Sequence, residues 1–226
     1  TVITHDVIAQ LPIHAAEYLA SLGKQKRQQL PRYWRKLERE FEGRVRMEFV
    51  ARSDVDVAEV NRLVAFNQQR MGSLGKGNFT DQESRKQQRR EPLTLQKGLL
   101  GKLMIQDRMV GGTFNYLHRD EAFLIVIAHD PAWEKHNLGH LALWRTVEHC
   151  IGLRVRRYHF FWGRKRYKND LGGVDHAISE FIVSRNPSLL PLWKARRTIM
   201  RNWPRAIGWV KRKLTRSTLT NDAHED

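Results

Sequence analysis

The sequence predicts a mixed α/β domain, one central sheet flanked by helices, and three observations lead there. Helical and strand periodicities interleave along the chain instead of segregating into blocks. The run Ala122 to Ala128 is apolar without interruption, as in a strand covered on both faces. Directly after it, Leu138, Leu141, Trp144, Val147 and Ile151 fall at three- and four-residue spacing, the stripe of an amphipathic helix.

Taken in order, Ala15 to Phe41 reads as one or two helices, with Leu19, Leu22, Leu30, Trp34, Leu37 and Phe41 as the stripe and Pro31 starting the second. Arg44 to Ala51 alternates as a strand. Val55 to Met71 is amphipathic, Gly72 to Thr80 is a glycine-rich loop, and Asp81 to Leu93 is a polar helix. A three-stranded meander follows: Leu99 to Ile105, a turn at Asp107-Arg108, Met109 to Leu117, a turn at His118 to Asp120, and Ala122 to Ala128. Gly111-Gly112 marks a bulge or a close backbone approach. Asn137 suits the cap of the Leu138 helix and Gly152 its end. Arg156 to Trp162 and Ala177 to Val183 complete the sheet. The expected division is one domain over residues 1–186 and a basic tail over 187–226.

Composition narrows the function classes. The 226 residues are 41% hydrophobic, ordinary for a globular chain. The longest apolar run is Ala122 to Ala128, whereas a membrane-crossing helix needs about 20 such residues. Cys150 is the only cysteine, so an intrachain disulfide is excluded and a cysteine-based zinc site is not expected. Thr1, not Met, opens the sequence, which therefore reads as processed or as part of a longer chain. No charged-then-apolar leader pattern follows it, and cytoplasm is the expected compartment. The net charge of +16 points to an anionic partner: nucleic acid, anionic lipid, acidic polysaccharide or a phosphate-rich cofactor.

Between Ile127 and Lys168 the pattern becomes specific. Ala128-His129-Asp130-Pro131 precedes Asn137-Leu138-Gly139-His140-Leu141; then Tyr158-His159-Phe160-Phe161-Trp162-Gly163 precedes Tyr167-Lys168. With the basic helix Lys24 to Arg39 and Gln68-Gln69-Arg70, these blocks resemble the CelD-like branch of the GNAT superfamily, linked to cellulose and exopolysaccharide biosynthesis. The sequence departs from that family in two places. Asn-Leu-Gly replaces Ser-Pro-Gly at the helix start, with His136 standing where a basic or amide residue is usual. Arg164 and Lys165 stand where the family tends to be acidic. The resemblance implies a GNAT fold and an acyl-CoA donor, acetyl-CoA first among them.

Residue chemistry supports parts of that implication. A helix start presents unpaired N–H groups and partial positive charge to a phosphate, and Gly139 there lets a pyrophosphate approach the backbone. Ile127, Ala128, His136, Asn137, Leu138, Gly139 and His140 are the expected cofactor-binding residues; the alternative for Gly139 is helix–sheet packing alone. In the GNAT fold a backbone N–H on the central strand polarises the thioester carbonyl, which falls at Ile127 to His129. His129, Asp130 and His159 are candidate bases at strand ends, Tyr167 a candidate acid for the leaving thiolate, and Lys168 its neighbour in the cleft. Each also has a purely structural reading. His136 and His140 alone supply too few ligands for a metal, and none is expected.

The tail from Leu189 to Arg216 combines Trp193, Trp203 and Trp209 with nine Lys and Arg and no carboxylate, a composition suited to an anionic membrane face. Three functions stay open: an acyltransferase acting on an amine or hydroxyl of a sugar-linked acceptor; a Fem-type transferase using aminoacyl-tRNA; and a catalytically degenerate domain binding an anionic polymer or membrane, which Arg164 and Lys165 would favour.

Overall fold

A computed structural model describes residues 2–73, 83–162 and 165–179. Seven strands form one sheet: β1 (Val2–Gln10), β2 (Val45–Ala51), β3 (Gly98–Ile105), β4 (Arg108–His118), β5 (Glu121–His129), β6 (Arg157–Trp162) and β7 (Val174–Ser179). Their order is β2-β3-β4-β5-β6-β1-β7. Every pairing is antiparallel except β5 with β6, which are parallel and joined through a crossover helix. The helices are α1 (Ala15–Ser21), α2 (Lys24–Glu40), α3 (Val57–Ser73), α4 (Glu83–Thr94), α5 (Leu138–Gly152) and α6 (Arg166–Asp170). The mixed α/β architecture expected from the sequence is the one observed.

Two apolar clusters cover the sheet. On one face α5 packs on β3, β4 and β5 with α1 and α2 beside it, burying Leu141, Trp144, Val147, Leu30, Trp34 and Leu37. On the other, α3 lays Val60, Leu63 and Val64 against Leu100, Phe114 and Val126. Each fully buried aliphatic side chain of this kind contributes about 1.5–3 kcal/mol. A buried hydrogen-bond chain fixes α5 to the sheet. Tyr158 Oη donates to Asn115 Oδ1 at 2.6 Å, and Asn115 Nδ2 donates to Thr113 Oγ1 at 3.1 Å. Thr146 Oγ1 donates its proton to Ala142 O, so Thr113 is the donor in the 2.8 Å Thr113–Thr146 contact. Cys150 lies buried on α5, where burial pushes its thiol up to about 12, as a packing residue.

The structure departs from these expectations at four points. β1 was not anticipated: it places Val7 and Ala9 in the core but Asp6 and a half-buried His5 around them, which breaks the apolar alternation. Pro31 lies inside α2 and does not start it; the helical break falls at Leu22-Gly23, both extended. Asn137 occupies the cap position of α5 in the left-handed conformation (φ 54°, ψ 30°), and its side chain makes no cap hydrogen bond. Asn is present there because it tolerates that backbone. The last strand starts earlier than expected, at Val174. The Gly72 to Thr80 loop falls largely, and the 187–226 tail wholly, outside the described residues.

Candidate active site

The cleft begins with a bulge. β5 and β6 pair only from Glu121–Arg157 to Phe123–His159. Beyond that, Phe114 lies opposite Val126 and Asn115 opposite Leu124, so Ile125 is an extra residue in β5. The bulge reverses which face each later side chain takes. Leu124 belongs to the α5 cluster, whereas Val126 and Ala128 belong to the α3 cluster and Ile127 packs on the α5 side. Asp130 N–H donates to Val110 O at 2.8 Å. Since N–H groups alternate in direction along a strand, those of Ile127 and His129 point away from β4, toward the side where β5 and β6 no longer pair.

A cavity of about 250 Å³ lies here, lined by Ile127, Ala128 and His129 from β5, Asn137, Gly139 and His140 at the start of α5, and Tyr167 from α6. Arg70 at the end of α3 and Glu134 in the 3₁₀ turn Pro131–His136 complete the wall. Gly139 is not required for packing: a Cβ there meets nothing nearer than His129 Nδ1 at 3.6 Å and Ile127 Cδ1 at 3.9 Å. The first intrahelical bonds come from the N–H groups of His140 and Leu141 to Asn137 O, at 3.0 and 3.3 Å, which places the N–H groups of Leu138 and Gly139 ahead of the helical ladder.

Burial shifts His129, His140 and Tyr167 of the cavity toward their neutral forms. Burial, then the Arg70 charge, keeps the His129 imidazole below its ordinary range, with Glu134 and Asp130 pulling the other way. Its Nε2 is buried without a hydrogen-bond partner among the described residues. His140 is likewise lowered, by burial and Lys26, and meets Tyr167 edge-to-face with ring centroids 5.8 Å apart. Burial raises the Tyr167 phenol, opposed by Arg70. A neutral imidazole accepts a proton and a raised phenol retains one.

The model of the acetyltransferase (GNAT) domain family matches residues 24–169, more than half of the chain. The chain belongs to the GNAT acetyltransferases. As a GNAT protein it is a transferase, its general chemistry is acyl transfer, and acetyl-CoA is the donor such domains generally use. A search of curated proteins found no match. Among solved structures, it resembles the C-terminal domain of a protein assigned as a lysylphosphatidylglycerol synthetase from Agrobacterium fabrum. That likeness has a TM-score of 0.51 at 8% identity and covers 78% of this chain and 59% of that one. It also resembles a GCN5-related N-acetyltransferase from Kribbella flavida (TM-score 0.44, 11% identity, 78% and 56% covered). A third is an aminoglycoside acetyltransferase from an uncultured soil metagenomic sample (TM-score 0.44, 14% identity, 65% and 99% covered). The GNAT chain thus spans 59% of the length of the Agrobacterium structure, and at this identity the likeness carries the fold alone.

Of the site residues expected from the GNAT resemblance, Ile127, Ala128, His129, Asn137, Gly139, His140 and Tyr167 meet at the cavity. Five others lie elsewhere. Leu138 buries its side chain fully in the core. His136 is 3.8 Å from Glu40 and edges onto Phe41 and Trp133. Asp130 is committed to structure: Oδ2 accepts from Arg108 at 2.7 Å and Oδ1 from the Ala132 N–H at 3.0 Å. His159 sits where β5 and β6 still pair, its Nδ1 2.7 Å from Asp6 Oδ2 and its ring stacked on Phe123. Lys168 is 3% exposed and donates to Phe161 O at 2.7 Å; burial lowers its ammonium to about 8. Arg70 was singled out in the sequence only by resemblance and without a role, and Glu134 not at all. Of Arg164 and Lys165, only the second is described, and it is exposed. No group of three metal-ligating side chains exists among the described residues.

Proposed function

We propose that this GNAT domain moves an acyl group from acyl-CoA to an amine or hydroxyl of a sugar-linked acceptor, as in the CelD-like branch that its motifs resemble. The observation that carries the donor site is Gly139: a glycine that packing does not need, at the start of a fifteen-residue helix and on the wall of a cavity beside the bulged strand. The pyrophosphate is read onto the N–H groups of Leu138 and Gly139. The N–H groups of Ile127 and His129, aimed away from β4, suit an oxyanion developing on the thioester. His129, kept neutral by burial, takes the acceptor's proton, and Tyr167, kept protonated, supplies one to the departing thiolate. The cytoplasm, with a peripheral place at the inner membrane face, suits both the donor and the positive charge.

Calorimetric titration with acetyl-CoA tests the reading. Wild type should bind, and Gly139→Glu should lose binding while keeping its thermal transition, because the added carboxylate enters the space read for phosphate. Unchanged affinity in a folded Gly139→Glu variant would remove the donor from this helix. A second reading is a Fem-type transfer from aminoacyl-tRNA, which the net charge of +16 permits. Titration with tRNA in place of acetyl-CoA separates the two, and binding of neither supports the degenerate domain.

A further inference from the structure

Tyr167 reaches the cavity from α6, a helix of five residues, too short to keep its shape without ties to the rest of the fold. Its far end is tied: Leu171 is fully buried, and Tyr18 Oη donates to Leu171 O at 3.0 Å. At its near end Lys165 and Arg166 are exposed. Between them, Lys168 ties the turn to the sheet. Its side chain is buried, and Nζ donates to Phe161 O at 2.7 Å.

The carbonyl that Lys168 reaches belongs to an irregular stretch of β6. Asp6 pairs with Trp162 and Ile8 with His159, so β6 carries one extra residue between His159 and Trp162. Phe161 lies in that stretch with φ 55°, a left-handed backbone that an aromatic residue rarely adopts. Pairing of β5 with β6 ends at Phe123–His159, so the bulge begins where the two strands stop pairing. Burial lowers the Lys168 ammonium to about 8; Asp6 opposes that, Lys165 adds to it and Asp175 opposes it. An apolar side chain of similar length would fill the same space without the cost of burying a charge. What it would lack is the donor at the end.

We infer that Lys168 is a positioning residue: by fixing α6 to the bulge of β6, it holds the Tyr167 phenol on the cavity wall. This rests on the reading of Tyr167 as the acid of acyl transfer. Lys168 does not line the cavity, and its nitrogen is committed to Phe161 O. Its neighbour does line it, so a shift of this single turn carries the Tyr167 ring with it and breaks the edge contact with His140 at 5.8 Å. Misplacing a reacting group by about 1 Å costs up to about 100-fold in rate.

The test places 3-fluorotyrosine at position 167 of the full chain and follows its phenol by fluorine NMR across pH. In the wild-type background it should titrate above the free fluorinated amino acid, because burial raises this phenol. Lys168→Met keeps an unbranched stem and removes the donor. In that background the phenol should fall to the value of the free amino acid as the ring turns toward water. The thermal transition should stay cooperative, and acetyl-CoA affinity by calorimetry should stay as in wild type. The sign separates positioning from charge: loss of a nearby cation alone leaves a phenol as high or higher. Lys168→Gln, whose amide ends one bond short of the lysine nitrogen, should show the same fall and serves where Lys168→Met does not fold. A phenol that stays raised in either folded variant overturns the inference, and so does a wild-type phenol that titrates like the free amino acid. Unfolding of both variants overturns it too, since Lys168 would then support the whole domain and not the tyrosine. Failure of wild type to bind acetyl-CoA is a different result, seen in the calorimetry and not in the titration: it removes the acid role of Tyr167, and this inference with it.

Discussion

Tyr167 reaches the cavity from a helix of only five residues, and its surroundings keep its proton on. Because burial raises the phenol above its ordinary range, it stays a proton donor across the neutral range. Tyr167→Phe retains the ring and its edge contact with His140 but removes the proton. Steady-state kinetics should show kcat falling about tenfold to a hundredfold, the lower range of acid–base contributions, with acetyl-CoA affinity unchanged. Equal kcat would leave Tyr167 as a packing residue. The residues legible in the sequence were those whose position follows from local pattern: His129 at a strand end, Gly139 at a helix start, Tyr167 after the last long strand. Asp130, His159 and Lys168 looked similar but are held by Arg108, Asp6 and Phe161. Two of these partners lie far along the chain, and the third, Phe161, enters through its backbone carbonyl, so local residue types do not reveal them. Arg70 and Glu134 come to the wall only through the packing of α3 and the 3₁₀ turn around β5.

At the scale of elements the cleft depends on two irregularities of the sheet, and only one was readable. Gly111-Gly112 announces itself by composition. A Cβ on Gly112 would lie 2.1 Å from Gly101 O, and one on Gly111 2.9 Å from His129 Cβ, so β4 is glycine where β3 and β5 press closest. The bulge at Ile125 is silent, because an extra residue inside an uninterrupted apolar run leaves the run apolar. Its effect is large all the same, since it turns Ile127 and His129 toward α5. Gly112→Ala must push β3 and β4 apart, at a cost of about 3 kcal/mol. Gly139→Ala meets only ordinary contacts and should be near neutral. Denaturant midpoints of the two variants check this. A tolerated Gly112→Ala would mean that the strands are less tightly placed than the carbonyl contact implies.

For the whole molecule, positive charge concentrates on two stretches of the chain, the C-terminal tail and α2. The compact unit runs from Thr1 to Ser179 and contains every cavity residue, whereas nine Lys and Arg lie between Leu189 and Arg216, outside the described residues. A second basic surface belongs to the described part: Lys24, Arg32, Arg35, Lys36 and Arg39 are exposed along α2, opposite the buried Leu30, Trp34 and Leu37. Each basic residue near an anionic bilayer contributes about 1 kcal/mol, and the attraction fades within a Debye length. The protein should therefore sediment with vesicles containing anionic lipid, release as salt rises, and ignore neutral vesicles. The tail also has three tryptophans, which α2 does not match, so ending the chain after Pro187 should remove most of the binding and keep acetyl-CoA affinity. Vesicle binding that survives truncation would move the contact to the α2 surface, which Arg32→Glu with Arg39→Glu would then abolish. A truncated protein that unfolds would place the tryptophans in the folding core instead of at the membrane.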